Sequence, residues 1–146
     1  NCKKGMFGLT SYSEIFFTKE GWNFMMLENP IIDGGVDGVL EFTKTGRRFS
    51  EIEINFLIEH IKSKLLLEWD LMLDIYSFIE NGFNRPKTMD EQISKKYGLR
   101  ETECNQVRNG IISRMEELNL IVREKKGREI TYVVTERFES HIPNEG

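Results

Sequence analysis

Residues 105–121 read NQVRNGIISRMEELNLI, and the fold turns on how this stretch is read. Extended back to Arg100 or Thr102, it predicts a helix running to about residue 119, with Cys104, Val107, Ile111, Met115 and Leu118 recurring at helical spacing on one stripe. At Leu120 the period changes. Residues 120–123 and 129–135 are short β-favouring runs in which Ile130, Tyr132 and Val134 alternate against Thr131 and Val133. The linking Glu124-Lys125-Lys126-Gly127-Arg128 is a charged hairpin tip with a glycine to turn it. Upstream, Thr88-Met89-Asp90-Glu91 has the form of a capping box, with Thr88 as the cap and Glu91 reaching back, opening a short helix that Gly98 ends. Residues 81–86 (Asn-Gly-Phe-Asn-Arg-Pro) form the loop before it.

Further back, no glycine or proline stands between Gly46 and Gly82. Apolar residues recur there at Ile54, Leu57, Ile58, Ile61 and Leu65, then at Leu67, Leu71, Ile75, Phe78 and Ile79, all helical spacings. The stretch is either one rod of about 50 Å or two helices with a break between residues 62 and 67. Ile52 and Phe56 add a second apolar stripe, so the first half of this stretch is expected to bury two faces, one on its own domain and one on a neighbour or a second chain.

The resulting order of helix, helix, helix, strand, tip, strand resembles the winged helix-turn-helix family of DNA-binding domains, in particular MarR- and PadR-like regulators. The resemblance covers about residues 67–142. DEQISKKYGL is similar to the family's first helix-turn-helix element, with Ile93 and Tyr97 inward. NQVRNGIISRMEELNLI is similar to its recognition helix followed by a "Leu-x-Leu-Ile" lead into the wing, and ITYVVTERF to the returning wing strand. Phe138 stands where such regulators often carry glycine, a departure that bears on how the final segment starts.

The chain also resembles itself. Residues 109–138 can be laid on residues 20–49 with identical spacing, pairing Leu120-Ile121 with Ile31-Ile32 and placing a β-favouring run after the glycines at 34–38. Thr10-Ser11-Tyr12-Ser13-Glu14-Ile15-Phe16-Phe17 then matches the short helix at 88–97, with Thr10 and Ser13 or Glu14 as capping residues. On this reading the first copy lacks its opening helix, which an upstream segment or a partner chain would supply. The expected fold is mainly α with small β-hairpins (α+β): two tandem winged-helix modules joined by a long helix. The first, residues 1–66, is degenerate or truncated and ends in that helix; the second, residues 67–146, is the DNA-binding module.

Twenty basic and 24 acidic side chains in 146 residues leave a net charge of −4, which on its face disfavours nucleic acid as a partner. The charge is unevenly placed: residues 85–128 hold eleven Lys or Arg against seven Asp or Glu. Thr102, Asn105, Gln106 and Asn109 lie on the helix face opposite the apolar stripe, where they would meet base edges in a major groove, flanked by Arg100 and Arg108. Arg123, Lys125, Lys126 and Arg128 on the wing, with Lys95 and Lys96 on the preceding helix, would reach phosphates. Glu101 and Glu103 would repel phosphate and count against a tightly saturated interface.

The sequence predicts neither an enzyme nor a cofactor or metal site. Asp37 with Glu51-Ile52-Glu53 faintly resembles an acidic nuclease centre, but on a helix Glu51 and Glu53 diverge by about 200°. His60 and His141 sit in no metal-ligand spacing, and the glycines at 34–38 lack the lysine of a phosphate loop. Cys2 and Cys104 form no disulfide framework, Cys104 reads as a small core residue, and no run approaches a membrane span, so a cytoplasmic protein is expected. The expected partners are double-stranded DNA and a second copy in a homodimer. The alternative is a winged-helix scaffold without DNA binding, its protein partner meeting the first module through Trp22, Phe24 and the acidic glycine-rich turn.

Overall fold

The glycine-free stretch breaks at one residue. Helix α3 (Glu51–Lys64) ends and α4 (Leu66–Glu80) begins at Leu65, whose backbone leaves the helical region at φ −116° and ψ 60°. The break lets both helices face one core. Ile54, Ile58 and Ile61 of α3 are buried together with Trp69, Met72, Ile75 and Ile79 of α4. The inward stripe of α4 is therefore rotated from the predicted one: Ile75 and Ile79 hold their places, whereas Leu67 is 87% exposed.

These elements belong to a computed structural model that describes residues 2–4, 11–13, 16–29, 33–46 and 48–143. The protein is mainly helical with small two-stranded antiparallel sheets, an α+β architecture. The amino-terminal part holds β1 (Cys2–Lys4) paired with β2 (Ser11–Ser13), then α1 (Lys19–Met25) and α2 (Gly35–Thr45). Beyond α4 come α5 (Pro86–Tyr97), α6 (Glu101–Glu117), β3 (Ile121–Lys126), β4 (Glu129–Val134) and α7 (Glu136–His141).

Several local expectations need correction. Helix α5 starts earlier than the Thr88 capping box implied: Arg85 is its N-cap, and Pro86 fills the first helical position, where a missing N–H costs nothing. Thr88 instead takes the reach-back role given to Glu91, its Oγ1 accepting from the Arg85 N–H at 3.3 Å. Gly98 ends this helix in the left-handed region, as predicted (φ 66°). The run after the glycines at 34–38, matched to a wing strand in the amino-terminal copy, lies in the helix α2. The stretch matched to the short helix contains strand β2. Thr10, Glu14, Ile15, Ile31 and Ile32 lie outside the described residues.

Helix α6 ends in a Schellman motif. The Leu120 N–H donates to Met115 O (2.8 Å) and the Asn119 N–H to Glu116 O (3.0 Å), while Asn119 takes the left-handed conformation at φ 55° and Met115 and Leu120 are both buried. The chain is thereby turned straight into β3. Strands β3 and β4 pair from Ile121↔Val134 to Lys126↔Glu129, with Gly127 and Arg128 as the loop. Tyr132 is buried between half-buried Ile130 and Val134, the alternation read from the sequence. The hairpin is tied down at its base, where the Thr135 hydroxyl donates to Asn119 O (2.7 Å) and the Tyr132 N–H to Asn84 O (2.8 Å). Thr135 then caps α7, and Phe138 in the first turn is buried edge-on against Trp69 and Tyr76, with ring centroids 5.9 and 5.2 Å away. That is how the final segment starts without glycine.

Helix α3 is shared by both halves of the chain. On one side Arg137 of α7 donates to Asn55 Oδ1 (2.9 Å) and pairs with Glu51. On the other, Asn29 Nδ2 donates to Glu53 Oε2 (2.7 Å) and the Ser50 hydroxyl to Glu28 O (2.8 Å), while Phe24 meets Phe49 and Phe56. The two buried faces predicted for this helix are both covered within the chain in part, although Ile52 stays exposed. The core runs across residue 66, since Ile54, Ile58 and Ile61 join the cluster of residues 69–138.

Candidate nucleic-acid interface

The period of α6 assigns its side chains. Cys104, Arg108, Ile111, Ile112 and Met115 form the buried stripe, and Thr102, Asn105, Gln106 and Asn109 fall on the exposed side. The four polar residues expected to meet bases thus share one solvent-facing edge. Cys104 is a core residue whose Sγ lies 3.6 Å from Leu99 O.

Arg108 has to be withdrawn from the set of expected DNA contacts. It is only 6% exposed, because it lies one turn after Cys104 and one turn before Ile112 on the inward stripe. A cation there needs a partner, and Asp90 of α5 supplies one, accepting from Nε at 2.7 Å and from Nη2 at 3.3 Å. Nη1 also donates to Tyr132 Oη (3.2 Å) and to Asn109 Oδ1 (2.9 Å). Burial works against the charge, yet the bonds to Asp90 and Tyr132 hold the guanidinium pKa above its ordinary value. The side chain thereby joins α5, α6 and β4.

The other basic residues divide into paired and open ones. Lys96 pairs with Asp74 of α4, which also accepts from the Tyr97 hydroxyl; burial together with this carboxylate pushes the Tyr97 phenol up to about 12. Tyr97, expected to point inward, is 44% exposed. Arg100 caps α6 and bonds to Glu103 at 2.8 Å, which holds the Glu103 carboxyl below its ordinary range. Arg123 pairs with Glu116 (3.1 Å) and lies 5.9 Å over the Tyr132 ring. Lys95, Lys125, Lys126 and Arg128 are exposed and have no ion-pair partner among the described residues. Exposed pairs of this kind are worth at most about 1 kcal/mol, so Arg100 and Arg123 can exchange their carboxylates for phosphate at little cost.

Comparison with protein-family models, with curated proteins and with solved structures returns no match. The chemistry of the site rests on its own residues. An exposed row of amides and a hydroxyl stands on one helix, and Lys125, Lys126 and Arg128 at the tip of the β3–β4 hairpin beyond it are open to solvent. Two residues that shape this surface, Asp90 and Tyr132, carried no functional signal in the sequence: Asp90 read as part of a cap and Tyr132 as a strand residue. Arg108 stands four residues after Cys104 and three before Ile111, a spacing that turns it inward and calls for a carboxylate opposite. Among the described residues no group of His, Cys, Asp and Glu is arranged to hold a metal ion, and no helix is long and apolar enough to cross a membrane.

Proposed function

We propose that the protein binds double-stranded DNA sequence-selectively, without enzymatic activity of its own, as a regulator of transcription or replication. In this reading residues 67–142 act as a winged helix: α6 enters the major groove, and the β3–β4 hairpin lies along the backbone. One observation carries the proposal. Thr102, Asn105, Gln106 and Asn109 form an exposed polar edge on the helix that leads directly into a hairpin tipped by Lys125, Lys126 and Arg128. Amide side chains read bases and cations hold phosphates, so the two parts divide the labour of selective binding.

The test is duplex binding as salt is varied. Lys125→Ala, Lys126→Ala and Arg128→Ala together should reduce the slope of log affinity against log salt by about 0.9 for each phosphate that the hairpin no longer neutralises, up to about 3 in all. An unchanged slope would remove the hairpin from the interface. A homodimer belongs to the same proposal, since two copies would set two recognition helices about one DNA turn apart. The surface offered for it is the α3–α4 junction, where Leu66 and Leu67 are 62% and 87% exposed. Leu67→Glu should convert a dimer to a monomer in analytical ultracentrifugation without loss of helical signal; equal mass for both proteins would exclude this surface.

A second reading is favoured by the amino-terminal segment, where Phe16, Trp22 and Met26 are largely exposed. That surface suits a protein partner, as in a scaffold within a larger complex. Duplex binding at low salt separates the two readings, because a scaffold of this kind shows none.

A further inference from the structure

Asn105 and Asn109 lie one turn apart on the exposed edge of α6, and their amides are not independent. Asn109 Nδ2 donates to Asn105 Oδ1 at 2.9 Å, and Asn109 Oδ1 accepts from Arg108 Nη1, also at 2.9 Å. Arg108 is in turn gripped through two nitrogens by Asp90 and donates to Tyr132 Oη. A hydrogen-bonded chain therefore runs from the buried ion pair out to the surface. It has a direction, because a guanidinium only donates.

That direction decides what the surface offers. An amide carries one acceptor oxygen and two N–H donors. Each oxygen of this pair already accepts one bond from the protein side, which leaves it one of its two lone pairs, while both N–H groups of Asn105 and the second N–H of Asn109 remain unbonded within the protein. The charge behind the Asn109 carbonyl polarises the amide and strengthens those donors. With one lone pair of each oxygen already used, the pair offers three free donors against two remaining acceptor positions. Adenine requires an oxygen and an N–H side by side in the major groove, since it offers acceptor N7 beside the N6 amino donor; guanine offers two acceptors, N7 and O6. Gln106, on the same edge, makes no side-chain hydrogen bond among the described residues and keeps both kinds of group.

We infer that Arg108 is a positioning residue for base choice: through Asn109 it makes the Asn105–Asn109 pair a donor-rich edge that favours guanine, and Gln106 takes adenine. This deepens the DNA-binding reading proposed above and rests on it.

The experiment is selection of duplexes from a random pool by the full chain, followed by sequencing, for the wild-type protein, Asn109→Ala and Gln106→Ala. Wild type should enrich sites with guanine beside adenine under α6. Asn109→Ala frees Asn105 Oδ1, so the adenine-to-guanine ratio at the guanine position should rise about tenfold while the salt slope stays the same. Alanine at an exposed helix site favours the helix, so folding is retained. Gln106→Ala should erase the adenine preference and leave guanine in place. Selected sites that are identical for wild type and Asn109→Ala overturn this inference and leave DNA binding standing. A pool with no enriched duplex overturns both.

Discussion

Phe138→Ala should lower the stability of the protein by about 3–5 kcal/mol, the range for emptying a buried phenylalanine site. The ring is fully buried and stands at a tilted-to-edge angle to Trp69 and Tyr76, so it joins α7 to α4. A domain's whole stability is about 5–15 kcal/mol, so the loss would be a large share of it. In urea, at a slope of about 2 kcal/mol per molar, the midpoint should fall by about 2 M. A shift under about 0.3 M would mean that α7 is not part of the cooperative core.

Asp90→Ala should come second, with a loss of about 3 kcal/mol, because it strands the buried Arg108 guanidinium without its carboxylate. The side chain of Asp90 is 18% exposed and that of Arg108 7%, so some solvent reaches the pair and the cost falls at the low end of the range for broken buried pairs. The companion double variant, Asp90→Leu with Arg108→Met, removes both charges and should recover most of the lost stability, as apolar replacements of buried pairs often do. Chemical denaturation of the three proteins checks this. Equal destabilisation of the single and double variants would show that the pair contributes through hydrogen bonding to Tyr132 and Asn109 rather than through charge balance.

Local signals were legible where one element decided the outcome. Gly98 stops α5, the change of period at Leu120 marks the passage from α6 to β3, and Gly127 turns the hairpin; each depends on the backbone freedom or periodicity of a few adjacent residues. The amino-terminal copy was misread for the same reason in reverse. The run after the glycines at 34–38 was matched to a wing strand, yet it lies in α2, which extends from Gly35 to Thr45. The rotation of the α4 stripe was hidden as well, because Leu67 and Leu71 fit a helical stripe as well as Trp69 and Met72 do. Only the break at Leu65 selects which of them turns inward.

The candidate site divides along the same line. Sequence periodicity alone put Thr102, Asn105, Gln106 and Asn109 on one edge, since the rise and turn of a helix follow from backbone geometry. It also set the basic hairpin tip and the mainly helical α+β class. The tertiary structure decided which cations remain open to a ligand. Arg108 goes inward to Asp90, which lies 18 residues away in sequence; Lys96 goes to Asp74, and Arg123 to Glu116. Ion pairing depends on which carboxylate the packing brings within a few ångströms, a distance between elements that no local pattern encodes. A charge can be read from the sequence, but its partner is chosen only when the helices meet.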